Sequence, residues 1–125
     1  MNLQFSNKEL AAIINLAYTM IMADGKVDER EKVMLGLELA RFGVKEEQWE
    51  GLATDAQAMD SLETISIIRN LTNDGKKYVT AFLGTLIAVD EDIDDAEMKL
   101  WKLTSALCNL PPMNIVQAVQ IMKNL

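Results

Sequence analysis

A short acidic signature occurs twice in this chain, and its spacing limits the folds available. Asp24-Gly25-Lys26-Val27-Asp28-Glu29-Arg30-Glu31 returns as Asp90-Glu91-Asp92-Ile93-Asp94-Asp95-Ala96-Glu97. The offset is 66 residues (90 − 24), so Asp24 matches Asp90, Asp28 matches Asp94 and Glu31 matches Glu97. Each signature lies between apolar segments of helical length. The same offset matches Leu16 with Phe82, Met20 with Leu86, Leu37 with Leu103 and Val44 with Leu110. The chain therefore reads as a duplicated helical hairpin with an oxygen-rich turn. Two units make a compact duplication rather than a solenoid.

The repeating unit is a long helix, an acidic turn, a long helix and a short helix. Leu10, Ile13, Ile14, Ala17 and Ile21 recur at helical spacing from Asn7 to Ala23, and Leu16 and Met20 extend the apolar surface to a second face. A helix apolar nearly all round belongs in a core. Ser6 and Glu9 have the spacing of a capping box at its start. A second helix is expected from Asp28 to Phe42, with Val33, Leu37 and Ala40 inward. A shorter one follows from Glu46 to Gln57, carrying Trp49, Leu52, Ala53 and Ala56. Asp60 opens a connecting helix with Leu62, Ile65, Ile68 and Leu71 inward. After the turn Asn73-Asp74-Gly75, the second copy runs from Lys76 to Val89. It continues from Asp94 to Asn109, with Leu100, Leu103, Thr104 and Leu107 inward, and closes with a short helix opened by Pro112. No segment alternates with period two. The expectation is all-α: one domain over 1–125, a compact bundle of about seven helices, with repeat units at about 7–57 and 74–125.

Composition excludes several kinds of chemistry. The chain has no histidine and a single cysteine, Cys108. Ser-His and Cys-His catalysis, disulfide frameworks, thiolate zinc sites and histidine-based metal sites therefore fall away. A net charge of −7, with no cluster of Lys and Arg, argues against nucleic acid as a partner. The apolar run from Leu10 to Ala23 is too short for a bilayer span, and the N-terminus lacks the basic region of a signal peptide. A cytoplasmic protein without membrane insertion is expected. No nucleophile, base or phosphate-cradling loop is recognisable, so the chain is not expected to be an enzyme.

The acidic turns admit two readings. Asp28 and Asp94 stand where helix caps stand, and Glu31 and Glu97 are three residues on, at the reciprocal position of a capping box. Asp24 and Asp90 are different. Each closes an apolar helix, where a carboxylate faces the negative end of the helix dipole. In the second copy six acids fall within eight residues with no base among them. Hard oxygen donors so placed suit Ca²⁺ or Mg²⁺. An EF-hand does not fit. Counting from Asp90, the required glycine is Asp95 and the closing glutamate is Trp101. From Asp24, the third position is Lys26 and the twelfth is Leu35.

Ala23-Asp24-Gly25-Lys26-Val27-Asp28-Glu29-Arg30-Glu31 resembles the Ala-Asp-Gly-x-aliphatic-x-x-x-Glu signature of TerB-like domains. That family includes tellurite-resistance proteins and the N-terminal region of DjlA-type membrane-bound co-chaperones. The resemblance extends from about Ser6 to Leu125. It implies an all-α fold with internal pseudosymmetry and divalent-metal binding by acids, which by position are Asp24, Asp28, Glu31, Asp90, Asp94 and Glu97. The leading expectation is a non-enzymatic module of this kind, in stress or tellurite-resistance signalling, with a protein partner. Glu91 departs from the pattern where glycine is usual. The alternative is a structural protein-interaction domain whose acids act as caps.

Overall fold

The computed structural model describes residues 1–23, 25, 29–89, 93 and 95–125. Among them are seven helices and no strand: α1 (Asn7–Ile21), α2 (Glu29–Arg41), α3 (Glu46–Ala58), α4 (Ser61–Arg69), α5 (Asn73–Ala88), α6 (Asp95–Leu107) and α7 (Ile115–Lys123). The 66-residue offset carries the bounds of α2 onto those of α6. Helix ends correspond as well. Gly43 and Asn109 both take positive φ, at 77° and 54°. The next amide in each copy reaches back to the carbonyl five residues earlier, Val44 to Leu39 at 3.0 Å and Leu110 to Ser105 at 2.9 Å. This is the left-handed termination that satisfies the last carbonyls of a helix.

The two central helices are α1 and α5, which pack on one another. Their sequences are apolar on more than one face, and most of their side chains are buried. Around α1 gather α3 and α4, and around α5 gather α7 and α6. The caps follow the chain's own chemistry. Ser6 Oγ accepts the amide of Glu9 at 3.1 Å, while Glu9 accepts the amide of Ser6 at 2.8 Å. At the matching position, Thr72 Oγ1 accepts the amide of Gly75 at 3.0 Å. Asn73, Asp74 and Gly75 therefore form the first turn of α5 rather than a loop before it. α7 opens at Ile115 rather than at Pro112, and Asn114 caps it, with its Oδ1 accepting the Gln117 amide at 2.8 Å.

Two expected inner faces are turned. In α2, Val33 is 60% exposed and Leu37 65%, while Glu31, Leu35, Glu38 and Leu39 face inward. In α6, Leu103 and Leu107 are exposed and Glu97, Trp101 and Thr104 are buried. The α4 face keeps its expected Ile68 and Leu71 buried and Ile65 half-buried, and departs only at Leu62, which is 81% exposed. In α2 the buried face is one whose acid finds partners, and it displaces a face richer in aliphatic carbon. Glu38 shows how this works, and its partners are given below.

Gly84 explains how α5 accepts two neighbours at once. A Cβ there would lie 2.6 Å from the Trp101 ring and 2.8 Å from Ala118 Cβ. The absent side chain lets α6 and α7 approach α5 together. Trp101 occupies that space, and its indole N–H donates to the Thr80 carbonyl at 3.1 Å. Asn15, a polar residue inside α1, is matched in a similar way. Its amide donates to the carbonyls of Ala56 at 2.9 Å and Met59 at 3.3 Å, tying α1 to the end of α3.

Candidate functional site

Of the six acids singled out from the sequence, Glu31 and Glu97 are described. Asp24, Asp28, Asp90 and Asp94 lie outside the described residues, as does Glu91. Glu31 is the third residue of α2 and Glu97 the third of α6. Both are buried, 2% and 1% exposed. Their neighbours Glu29 and Asp95 are exposed, and Glu29 pairs with Lys32 across the surface at 3.6 Å. The first helical turn of each copy thus sends one carboxylate inward and leaves another in solvent. A buried glutamate is costly unless its charge is matched, so the same placement in both copies marks the root of each acidic turn as a built environment. Among the described residues, no three Asp, Glu or Cys side chains converge as a metal group.

A second polar centre was not anticipated. Glu38 lies two turns past Glu31 on the same face of α2 and is nearly buried. Its Oε1 accepts the Tyr78 hydroxyl at 2.7 Å and the Arg41 Nε at 3.1 Å. Tyr78 comes from the centre of α5 and is fully buried. The rings of Phe5, Phe42 and Phe82 surround it at centroid distances of 5.7, 5.2 and 5.8 Å. Burial pushes the Tyr78 phenol far above its usual range, the Glu38 charge adds to that, and Arg41 opposes it weakly. The phenol is therefore a fixed neutral donor, and this centre fastens α2 to α5. The signal in the sequence was the seven-residue spacing of Glu31 and Glu38, which puts both acids on one helical face.

Cys108 is fully buried at the end of α6. Burial raises its thiol pKa, against the pull of Arg69 and Lys76. That is the environment of a packing thiol rather than a nucleophile. No described helix is long and apolar enough to cross a membrane.

No family model matches the chain, and no curated protein does. Among solved structures, a protein of unknown function from Porphyromonas gingivalis W83, PG1108, is similar at 39% identity with a TM-score of 0.86. The match covers 99% of this chain and 94% of that one. Identity at this level over the whole length carries more than a shared architecture, and the chain belongs to the same family as that Porphyromonas gingivalis protein.

Proposed function

We propose that this protein is a non-enzymatic, TerB-like module that binds a divalent cation, Ca²⁺ or Mg²⁺, through its two acidic turns and passes that state to a protein partner in a stress or tellurite-resistance response. The observation that carries the reading is the pair of buried glutamates, Glu31 and Glu97, each at the root of a turn crowded with carboxylates. In the proposed site Asp24, Asp28 and Glu31 serve one turn, and Asp90, Asp94 and Glu97 the other. Carboxylate oxygens are the donors that hard cations prefer, and a cation would relieve their mutual repulsion.

A second reading has its own support. The chain caps its helices with side-chain oxygens at Ser6, Asp60, Thr72 and Asn114. Glu31 and Glu97 stand at the matching third helical position, so the acids could be caps and the domain an interaction module.

Thermal melts decide between them. A cation that binds only the folded state stabilises it by about 2.7 kcal/mol at a hundredfold excess over its Kd. For a domain of this size that is a shift of several degrees. On the cation reading, millimolar Ca²⁺ or Mg²⁺ raises the wild-type melting temperature beyond an ionic-strength control, and the double substitution Asp24→Asn with Asp90→Asn removes the rise. On the capping reading neither protein responds to cation, and Asp28→Ala and Asp94→Ala each cost about 1 kcal/mol.

A further inference from the structure

The duplication has produced two related grooves of unequal size. One runs between α2 and α3 and has a volume of about 350 Å³; the other runs between α6 and α7 and has about 860 Å³. Their walls correspond at the 66-residue offset: Leu35 with Trp101, Gly36 with Lys102, Trp49 with Ile115. In the first groove the Trp49 ring rests on Gly36, with a ring atom 3.4 Å from where a Cβ would stand. The protein thus fills this groove with its own indole. In the second, Ile115 is too short to do the same, and Trp101 is turned down against Gly84. The larger groove stays open, lined mainly by apolar side chains, and its volume is typical of ligand sites. Met98 and Met113 line it, and methionine adapts its shape to what it meets.

Charge differs in the same sense. The first groove is lined by both Lys32 and Glu50. In the second, Val116 replaces that glutamate and Lys102 is the charged side chain on the wall. Lys102 takes part in no ion pair among the described residues. One groove therefore is covered by an indole and carries an acid of its own, while in the other the Trp101 ring is drawn down against Gly84, no acid lines the wall, and a cation is presented.

We propose that the α6–α7 groove docks an amphipathic helix of a partner protein, which inserts a bulky aromatic side chain and places a carboxylate on Lys102. The partner supplies in trans what Trp49 and Glu50 supply in cis. This mode of recognition lays an apolar helical face into an apolar groove. The groove is lined by residues other than the acidic turns, so the inference does not depend on cation binding.

The chain's own α3 sequence provides a probe, because it carries both features. A synthetic peptide of residues 46–58 is titrated into the isotope-labelled protein, with amide and methyl shifts as the readout. The expected result is saturable shifts confined to the α6–α7 groove, at Met98, Lys102, Met113 and Ile115. Lys102→Glu weakens binding roughly tenfold, as one attraction becomes a repulsion. A peptide with Trp49→Ala loses at least about as much, since aromatic anchors dominate such contacts. Ile115→Trp places an indole in the groove and abolishes binding, while its melting temperature stays at or above that of wild type. Should Ile115→Trp fail to fold, Lys102→Glu and the altered peptide still decide. Absence of saturable shifts at millimolar peptide, shifts centred elsewhere, or equal binding by Lys102→Glu would overturn the proposal. Saturation of the groove by dodecanoate but not by the peptide would also overturn it, in favour of a lipid-like anion.

Discussion

Trp49 and Trp101 do the same job from non-equivalent positions. In the first half of the chain the indole comes from the third helix and covers a glycine of the second. In the second half it comes from the second long helix, α6, and covers a glycine of the central one. Both glycines allow a close approach, but one lies under a half-exposed ring and the other in the core. After duplication, two copies of one backbone can keep their caps and turns while redistributing their bulky side chains. The half that moved its tryptophan inward gained a better-anchored core and left a groove on its surface.

Substituting the two tryptophans is the strongest way to break this comparison. Trp101→Ala should cost about 3–5 kcal/mol, because it empties a fully packed site. Its hydrogen bond to the Thr80 carbonyl is lost as well. Trp49, 38% exposed, should cost about 1 kcal/mol when truncated. Denaturant unfolding of both variants checks this, and equal losses would refute the asymmetry.

The glycines sharpen the same point. Gly84→Ala drives a methyl into Trp101 and Ala118, an overpacking cost of about 1–3 kcal/mol, only partly offset by about 1 kcal/mol of improved helix propensity. Gly36→Ala meets the Trp49 ring at ordinary contact distance. The propensity gain should then prevail, leaving that variant neutral or slightly more stable.

The Glu38–Tyr78 centre has no counterpart in the other half, where the matching residues are Thr104 and Ala12. Tyr78→Phe should cost about 1–2 kcal/mol at neutral pH through loss of the buried donor. It should also change the alkaline limb of the stability curve. Above about pH 10 the unfolded chain releases its phenolic proton while folded Tyr78 retains it. The unfolded state then binds fewer protons, and stability falls as pH rises. In Tyr78→Phe that fall should be shallower. A residual slope from about pH 9 remains, because the folded Cys108 thiol also holds its proton more tightly. Chemical denaturation across pH 7–11 measures both effects.

The smallest effect tests where the halves agree. Ser6→Ala and Thr72→Ala each remove one cap and should cost about 1 kcal/mol apiece. Unequal losses would show that Glu9, which completes the box in the first half only, matters more than the cap itself.

Much of the architecture was legible before any coordinates. The all-round apolar patterns of α1 and α5 left them few places except the centre, and the Ser6 and Asp60 caps stood at the spacing their chemistry requires. The inner faces of α2 and α6 were read wrongly for a physical reason. A helical face is chosen by total free energy, and a buried carboxylate is tolerated only where a distant group meets it. The partner of Glu38 is Tyr78, 40 residues away, and local periodicity cannot reveal such a pairing. Val33 and Leu37 look like core on a helical wheel and are surface here. The same blindness hid the grooves. Trp49 and Trp101 each stand on a helix with nothing local to distinguish them, and only the glycines beneath them tell the two apart. Of the candidate site, Glu31 and Glu97 were found by their repetition. Their burial was not foreseen, because the third residue of an acidic helix start usually faces water.

The gathering of each set of helices around its own central member has a kinetic consequence. α1 collects α3 and α4, and α5 collects α6 and α7. The heaviest packing in each half skips the next helix, α1 with α3 and α5 with α7, so a loop that includes α2 or α6 must close before those contacts form. Helical domains as a class still fold on a scale of roughly microseconds to milliseconds. The pairing of α1 with α5 joins two clusters that can begin to form separately. α5 is buried along most of its length between both clusters, so its amides should be the last in the chain to exchange with solvent.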